Sequence, residues 1–147
     1  MGLDMYLNAK RFLFYGESEL ADKLSENFPE LGEARIKDVI AEVGYWRKAN
    51  AIHEWFVKNV QGGTDDCGNY EVSKDALKKL LEVVEEVLAD KSKASKLLPT
   101  TSGFFFGSTD YDEFYFNDLV YTKELIEGLL ANTALCKNWY FEYHSSW

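Results

Sequence analysis

The sequence predicts an α+β fold in which a small antiparallel sheet, formed by N- and C-terminal strands, packs against three main helices. Three observations lead there. Both ends of the chain alternate apolar and polar side chains with the two-residue period of a half-buried strand, and the interior carries apolar residues at helical spacing. No repeat, low-complexity tract or linker divides the 147 residues, so they are expected to form a single domain, 1–147.

The elements follow in chain order. From Leu3 to Phe14, residues Leu3, Met5 and Leu7 point one way and Asp4, Tyr6 and Asn8 the other, which defines the first strand. Gly16 breaks it, and Ser18 is placed to N-cap a short amphipathic helix that runs to Glu26 and stops before Pro29. A long helix is predicted from about Glu33 to Val60, because Ile36, Val39, Ile40, Val43, Ile52, Phe56 and Val60 recur at helical spacing, with Gly44 as a point of bending. The stretch Gln61–Asn69 reads as a loop, and Tyr70–Val72 as a strand stub. Ser73 offers the N-cap of a helix carrying Leu77, Leu80, Leu81, Val84, Val87 and Leu88, whose end is marked by a lysine-rich stretch and then Pro99. Residues 102–108 (SGFFFGS) suit a buried strand or packed loop. Thr109 or Asp110 is expected to cap a helix over Tyr111–Ala131 that Asn132 ends. The tail Asn138–Trp147 alternates again and is paired with the first strand, since an apolar terminal strand without a partner exposes its backbone.

Charge narrows the function classes. A net charge of −9 disfavours duplex nucleic acid as a partner, because phosphate neutralisation needs a basic surface. Six carboxylates between Glu17 and Glu33 face only Lys23, which places that segment on the surface. Two cysteines make no disulfide framework, and no apolar run reaches membrane-spanning length, so no membrane partner and a cytoplasmic location are expected. The 16% aromatic content is high, and although a core can absorb many rings, buried Tyr and Trp need partners for their OH and NH groups, so some rings are expected to line a cleft or an interface, and a homo-oligomer is compatible with that.

Three segments can carry chemistry. On a continuous helix, Trp46, Asn50 and His53 would stack on one face with Arg47 beside Asn50, an arrangement able to sandwich a nucleobase, bond its edge and meet a phosphate through Arg47 or Lys48. The competing reading puts both Trp46 and Trp55 in the core and leaves the cations in solvent. The loop around Asp65, Asp66 and Cys67 can hold a cation or position a thiol, although it matches neither an EF-hand nor a phosphate loop, and a surface turn is the simpler reading. In GFFFGSTDYDEFYF, Phe105, Ser108 and Tyr115 can join the ligand-facing set, with a core plug and ordinary cap as the alternative. Two histidines and two distant cysteines make no zinc motif, so neither metal nor cofactor is expected. No catalytic signature appears, which favours a binder over an enzyme.

The segments MGLDMYL, EVGYWRKANAIHEWFV, the Asp-Asp-Cys loop, LLP followed by GFFFGST, and the terminal Ser-Ser-Trp together resemble a family of small uncharacterised bacteriophage-encoded proteins. That resemblance implies an accessory protein acting in the host cytoplasm on host machinery or defence. The expected function is therefore an anti-defence protein that binds and sequesters a small nucleotide-derived signalling molecule in an aromatic pocket formed by Trp46, Arg47, Asn50, His53, Phe105, Ser108 and Tyr115. A protein–protein inhibitor of a host enzyme or defence protein, and a small nucleotide hydrolase using His53 and Asp66, are the alternatives.

Overall fold

The alternation at the N-terminus becomes strand β1 (Asp4–Phe12), which buries Met5, Leu7 and Ala9 and turns Tyr6, Asn8 and Lys10 to the other face. The computed structural model describes residues 2–147. Along one edge β1 pairs antiparallel with β4 (Tyr140–Ser146), from Asp4 opposite Ser146 to Lys10 opposite Tyr140. The same register turns Phe141, Tyr143 and Ser145 inward beside Met5, Leu7 and Ala9. The N- and C-terminal strands thus form the centre of an antiparallel sheet, as their pattern predicts.

The largest departure from the sequence reading lies at residues 33–60. In place of one long helix the chain forms strand β2 (Asp38–Arg47), then helix α2 (Asn50–Asn59). Val39, Ile40 and Val43 satisfy helical spacing, but they are β-branched, and with Tyr45 and Trp46 they prefer the pleated surface that the second edge of β1 offers. Gly44 does not bend a helix. It sits at a β-bulge, where Leu7 faces Gly44 and Asn8 faces Glu42, leaving Val43 unpaired. An added Cβ there would stand 2.5 Å from Leu125 Cδ2, so the glycine admits a helix packed against the strand. Lys48, with φ of 57°, turns the chain from strand to helix.

The sheet order is β2-β1-β4-β3, with β3 the stub Tyr70–Val72. Helices α2, α3 (Lys74–Ala89) and α5 (Glu113–Ala131) pack on one of its faces around Leu3, Leu7, Phe56, Leu80, Leu119 and Tyr143, and the single turn α4 (Ala94–Leu97) lies between α3 and α5 in the chain. The Phe56 and Tyr143 rings stack at 4.0 Å between centroids, joining α2 to the sheet. Ser73 Oγ accepts the Ala76 N–H and caps α3. The cap of α5 is Asp112, whose Oδ1 accepts the Tyr115 N–H at 3.1 Å, rather than Thr109 or Asp110. Asn132 ends α5 and also caps a short helix, α6 (Thr133–Asn138), within the stretch that leads to the last strand.

Residues 13–37 form an arm between β1 and β2. It holds α1 (Ser18–Ser25), in which Ser18 is the first helical residue rather than the cap, and Glu17 flanks it. The Leu13 N–H donates to Lys37 O at 2.8 Å and the Arg35 guanidinium donates to Phe14 O at 2.7 Å, closing the base of the arm. Phe14, Tyr15 and Phe28 remain exposed there, and all six carboxylates face solvent or partial solvent. No helix among the described residues is long and apolar enough to cross a membrane.

Candidate functional site

The expected stripe of indole, carboxamide and imidazole does not exist, because Trp46 ends a strand while Asn50 and His53 belong to the next helix. Trp46 is buried, and its Nε1–H donates to Thr122 Oγ1 at 2.8 Å, fixing β2 to α5. Asn50 is a staple: Nδ2 donates to the Phe106 and Ser108 carbonyls at 3.1 and 2.8 Å, and Oδ1 accepts the Thr101 N–H at 3.0 Å. Both of its donors are spent on residues 101–108, so the side chain is not free to read a base edge. His53 is wholly buried between Tyr143 and Asp65, with Nδ1 at 2.6 Å from the phenol oxygen and Nε2 at 2.9 Å from Asp65 Oδ2. A carboxylate only accepts, so Nε2 carries the proton and Nδ1 accepts from the Tyr143 hydroxyl.

That chain extends outward, for the Trp147 indole N–H donates to Asp65 Oδ1 at 3.1 Å. The polar line ties the Asp65 loop and the C-terminal residue to the core, and burial raises the Tyr143 phenol well above its usual range. Next in the loop, Asp66 accepts the Gly68 N–H and the Tyr70 hydroxyl, both of which lower its carboxyl. With both imidazole nitrogens engaged, His53 has no lone pair to serve Cys67 as a base. The two thiols are free, and no group of three or more His, Cys, Asp or Glu side chains among the described residues is placed to hold a metal ion.

Beside Asn50 the structure opens a cleft of about 360 Å³, within the range of small-molecule sites. One wall is the turn from β2 into α2, with Arg47, Lys48 and the first residues of the helix. The other is the start of α5, with Phe114, Tyr115 and Asp118, and residues Gly107, Ser108 and Asp110 close one side. The Asn50 staple and the Leu3 N–H bond to Phe105 O at 3.3 Å hold that side in place. Of the expected ligand residues, Arg47, Asn50, Ser108 and Tyr115 reach this cleft. Trp46, His53 and Phe105 do not line it. Phe105 lies outside with its ring against Phe104, and Tyr115 is a wall, its hydroxyl donating to Leu98 O at 2.7 Å.

The electrostatics of the two walls differ. The helix begins without a side-chain cap at Ala49, and its first bond runs from the His53 N–H to Ala49 O at 3.0 Å. The amides of Asn50, Ala51 and Ile52 therefore find no acceptor among the described residues, and they carry the positive end of the helix dipole. Arg47 and Lys48 add two charges and join none of the ion pairs among the described residues. Across the cleft Asp118 is half-buried, and desolvation, with the Asp112 charge adding to it, pushes its carboxyl up to about 6. Sequence reasoning overlooked the α2 N-terminus, Phe114 and Asp118. A signal for the first was the run of β-formers before Arg47, which moves the helix start to Asn50.

No protein-family model matches the chain, and the searches of the curated proteins and of the solved structures return no significant match.

Proposed function

We propose that this chain binds and sequesters a small, phosphate-bearing, nucleotide-derived molecule in the cleft between α2 and α5. One observation supports the reading most: an uncapped helix N-terminus opens into the cleft beside two cations that have no ion-pair partner among the described residues. A phosphate there would accept the Asn50, Ala51 and Ile52 N–H groups, and Arg47 and Lys48 would offset its charge. The exposed ring of Phe114 at the rim offers a stacking surface for a base. Binding is preferred to hydrolysis because His53 is sealed away from the cleft and Asp66 is occupied in its own loop. With the resemblance to phage-encoded proteins, the physiological ligand would be a host defence signal held away from its receptor.

Calorimetry with cyclic dinucleotides, ADP-ribose derivatives and inorganic phosphate tests this. The reading expects saturable heat from at least one nucleotide and its loss in Arg47→Ala. An absence of heat from every compound overturns it.

A second reading, an inhibitor that docks on a basic host protein, has its own support in the arm, where Phe14 is 69% and Tyr15 is 89% exposed and the same segment of chain carries Asp22, Glu26, Glu30 and Glu33, with Arg35 over the Tyr15 ring. It predicts one stoichiometric host partner that is released when Phe14 and Tyr15 are replaced by Ser, and no small ligand.

A further inference from the structure

We propose that Asp118 is the specificity-determining residue of this cleft and that the base it selects is guanine. Its carboxylate would accept the N1–H and N2–H of the base while the Phe114 ring supports the base from below. The inference rests on the phosphate-binding reading above and names the class of nucleotide.

Two features of α5 that packing does not explain carry it. Phe114 is 77% exposed at the rim of the cleft, where its face is free to meet a planar ligand. Asp118 follows four residues later and so lies on the same helical face, one turn deeper in the cleft. Its carboxylate takes part in no hydrogen bond or ion pair among the described residues; only its backbone carbonyl is used, by the Thr122 hydroxyl at 2.7 Å. The neighbouring acids are differently employed: Asp112 caps the helix through Oδ1, and Asp110 is exposed at the rim. A partly desolvated, unpaired carboxylate is costly to keep, and such groups concentrate where a ligand supplies the missing donors.

The donor pattern then identifies the base. At neutral pH Asp118 is ionised and can only accept, so it needs two adjacent N–H groups. Guanine presents them side by side as N1–H and the N2 amino group. Adenine offers one amino hydrogen beside the N1 lone pair, which faces the carboxylate with like charge. Hypoxanthine keeps N1–H and lacks the amino group. Phosphate on the cationic wall and base on the acidic wall would also orient the nucleotide in one direction across the cleft.

The test is calorimetry at pH 7.5 with GMP, IMP, AMP and inorganic phosphate on the wild-type chain, Asp118→Asn and Arg47→Ala, each checked for folding by circular dichroism. The expected order is GMP tighter than IMP by about tenfold or more for the amino donor lost, and IMP tighter than AMP because adenine turns a lone pair toward the carboxylate. In Asp118→Asn the three nucleotides should converge to within about threefold, because an amide can donate as well as accept. Equal wild-type affinities that still fall in Arg47→Ala overturn the guanine assignment and leave the phosphate site standing. So does a loss of all three nucleotides alike in Asp118→Asn, which would place a ribose diol on the carboxylate. Silence from all four compounds removes the phosphate site, and this inference with it.

Discussion

Replacing Asp118 with Asn should stabilise the fold at neutral pH and not in acid. Burial in the cleft, with Asp112 adding to it, raises the carboxyl from 3.8 to about 6. Asp110, Arg47 and Lys48 also line the cleft, and Asp112 is the one charge that adds to the effect of burial. A carboxyl whose folded value is raised binds its proton more tightly in the folded state, so its contribution to stability is intact below 3.8 and is lost as pH climbs to about 6. At 1.36 kcal/mol per pH unit, the two-unit rise gives roughly 3 kcal/mol as an upper bound. The cleft is open to water, and screening reduces this by about half, to ~1.5 kcal/mol. For a chain of this length that corresponds to a Tm higher by about 4–6 °C. Scanning calorimetry of both proteins at pH 7.5 and pH 3.8 measures it. The gain should be present at pH 7.5 and absent at pH 3.8; an equal gain at both, or none at either, would refute the desolvation argument.

Three further substitutions probe the frame around the cleft. Thr122→Val keeps the shape but leaves the buried Trp46 N–H without its acceptor, and urea denaturation should show a loss of about 1–3 kcal/mol. Tyr143→Phe removes the donor to His53 Nδ1 at a similar cost of roughly 1–3 kcal/mol, and hydrogen exchange in residues 61–69 should rise, since Asp65 is held through the same imidazole; unchanged exchange would mean that the loop is fixed independently. Gly107→Ala puts a Cβ 3.0 Å from Lys48 Cβ on a residue whose φ is 87°, so thermal denaturation should record a loss of about 1–2 kcal/mol together with weaker nucleotide binding.

The terminal strands were legible because a two-residue period belongs to no other element, and because each strand buries one face only. Helix α3 was equally plain from Ser73 and its leucine and valine stripe. Residues 38–47 were not, since Val39, Ile40 and Val43 fit a helical stripe and a strand alike, and the choice depended on β1 needing a partner on its second edge. That one ambiguity governed the site. It moved Trp46 and His53 into structural roles, made Asn50 a staple for a loop fifty residues away in sequence, and created a helix terminus where a helix interior was expected. Arg47, Ser108 and Tyr115 come together all the same, because the two polar and aromatic segments meet through the Asn50 bonds to residues 101–108.

The central claim is that the start of α2 receives the phosphate of a nucleotide, and amide chemical shifts test it most directly. In ¹H–¹⁵N spectra titrated with GMP and then with inorganic phosphate, the backbone signals of Asn50, Ala51 and Ile52 should move saturably with both. Those of Phe114 and Asp118 should move with the nucleotide alone. Unmoved amides at residues 50–52, or shifts confined to the arm at residues 13–37, would contradict it.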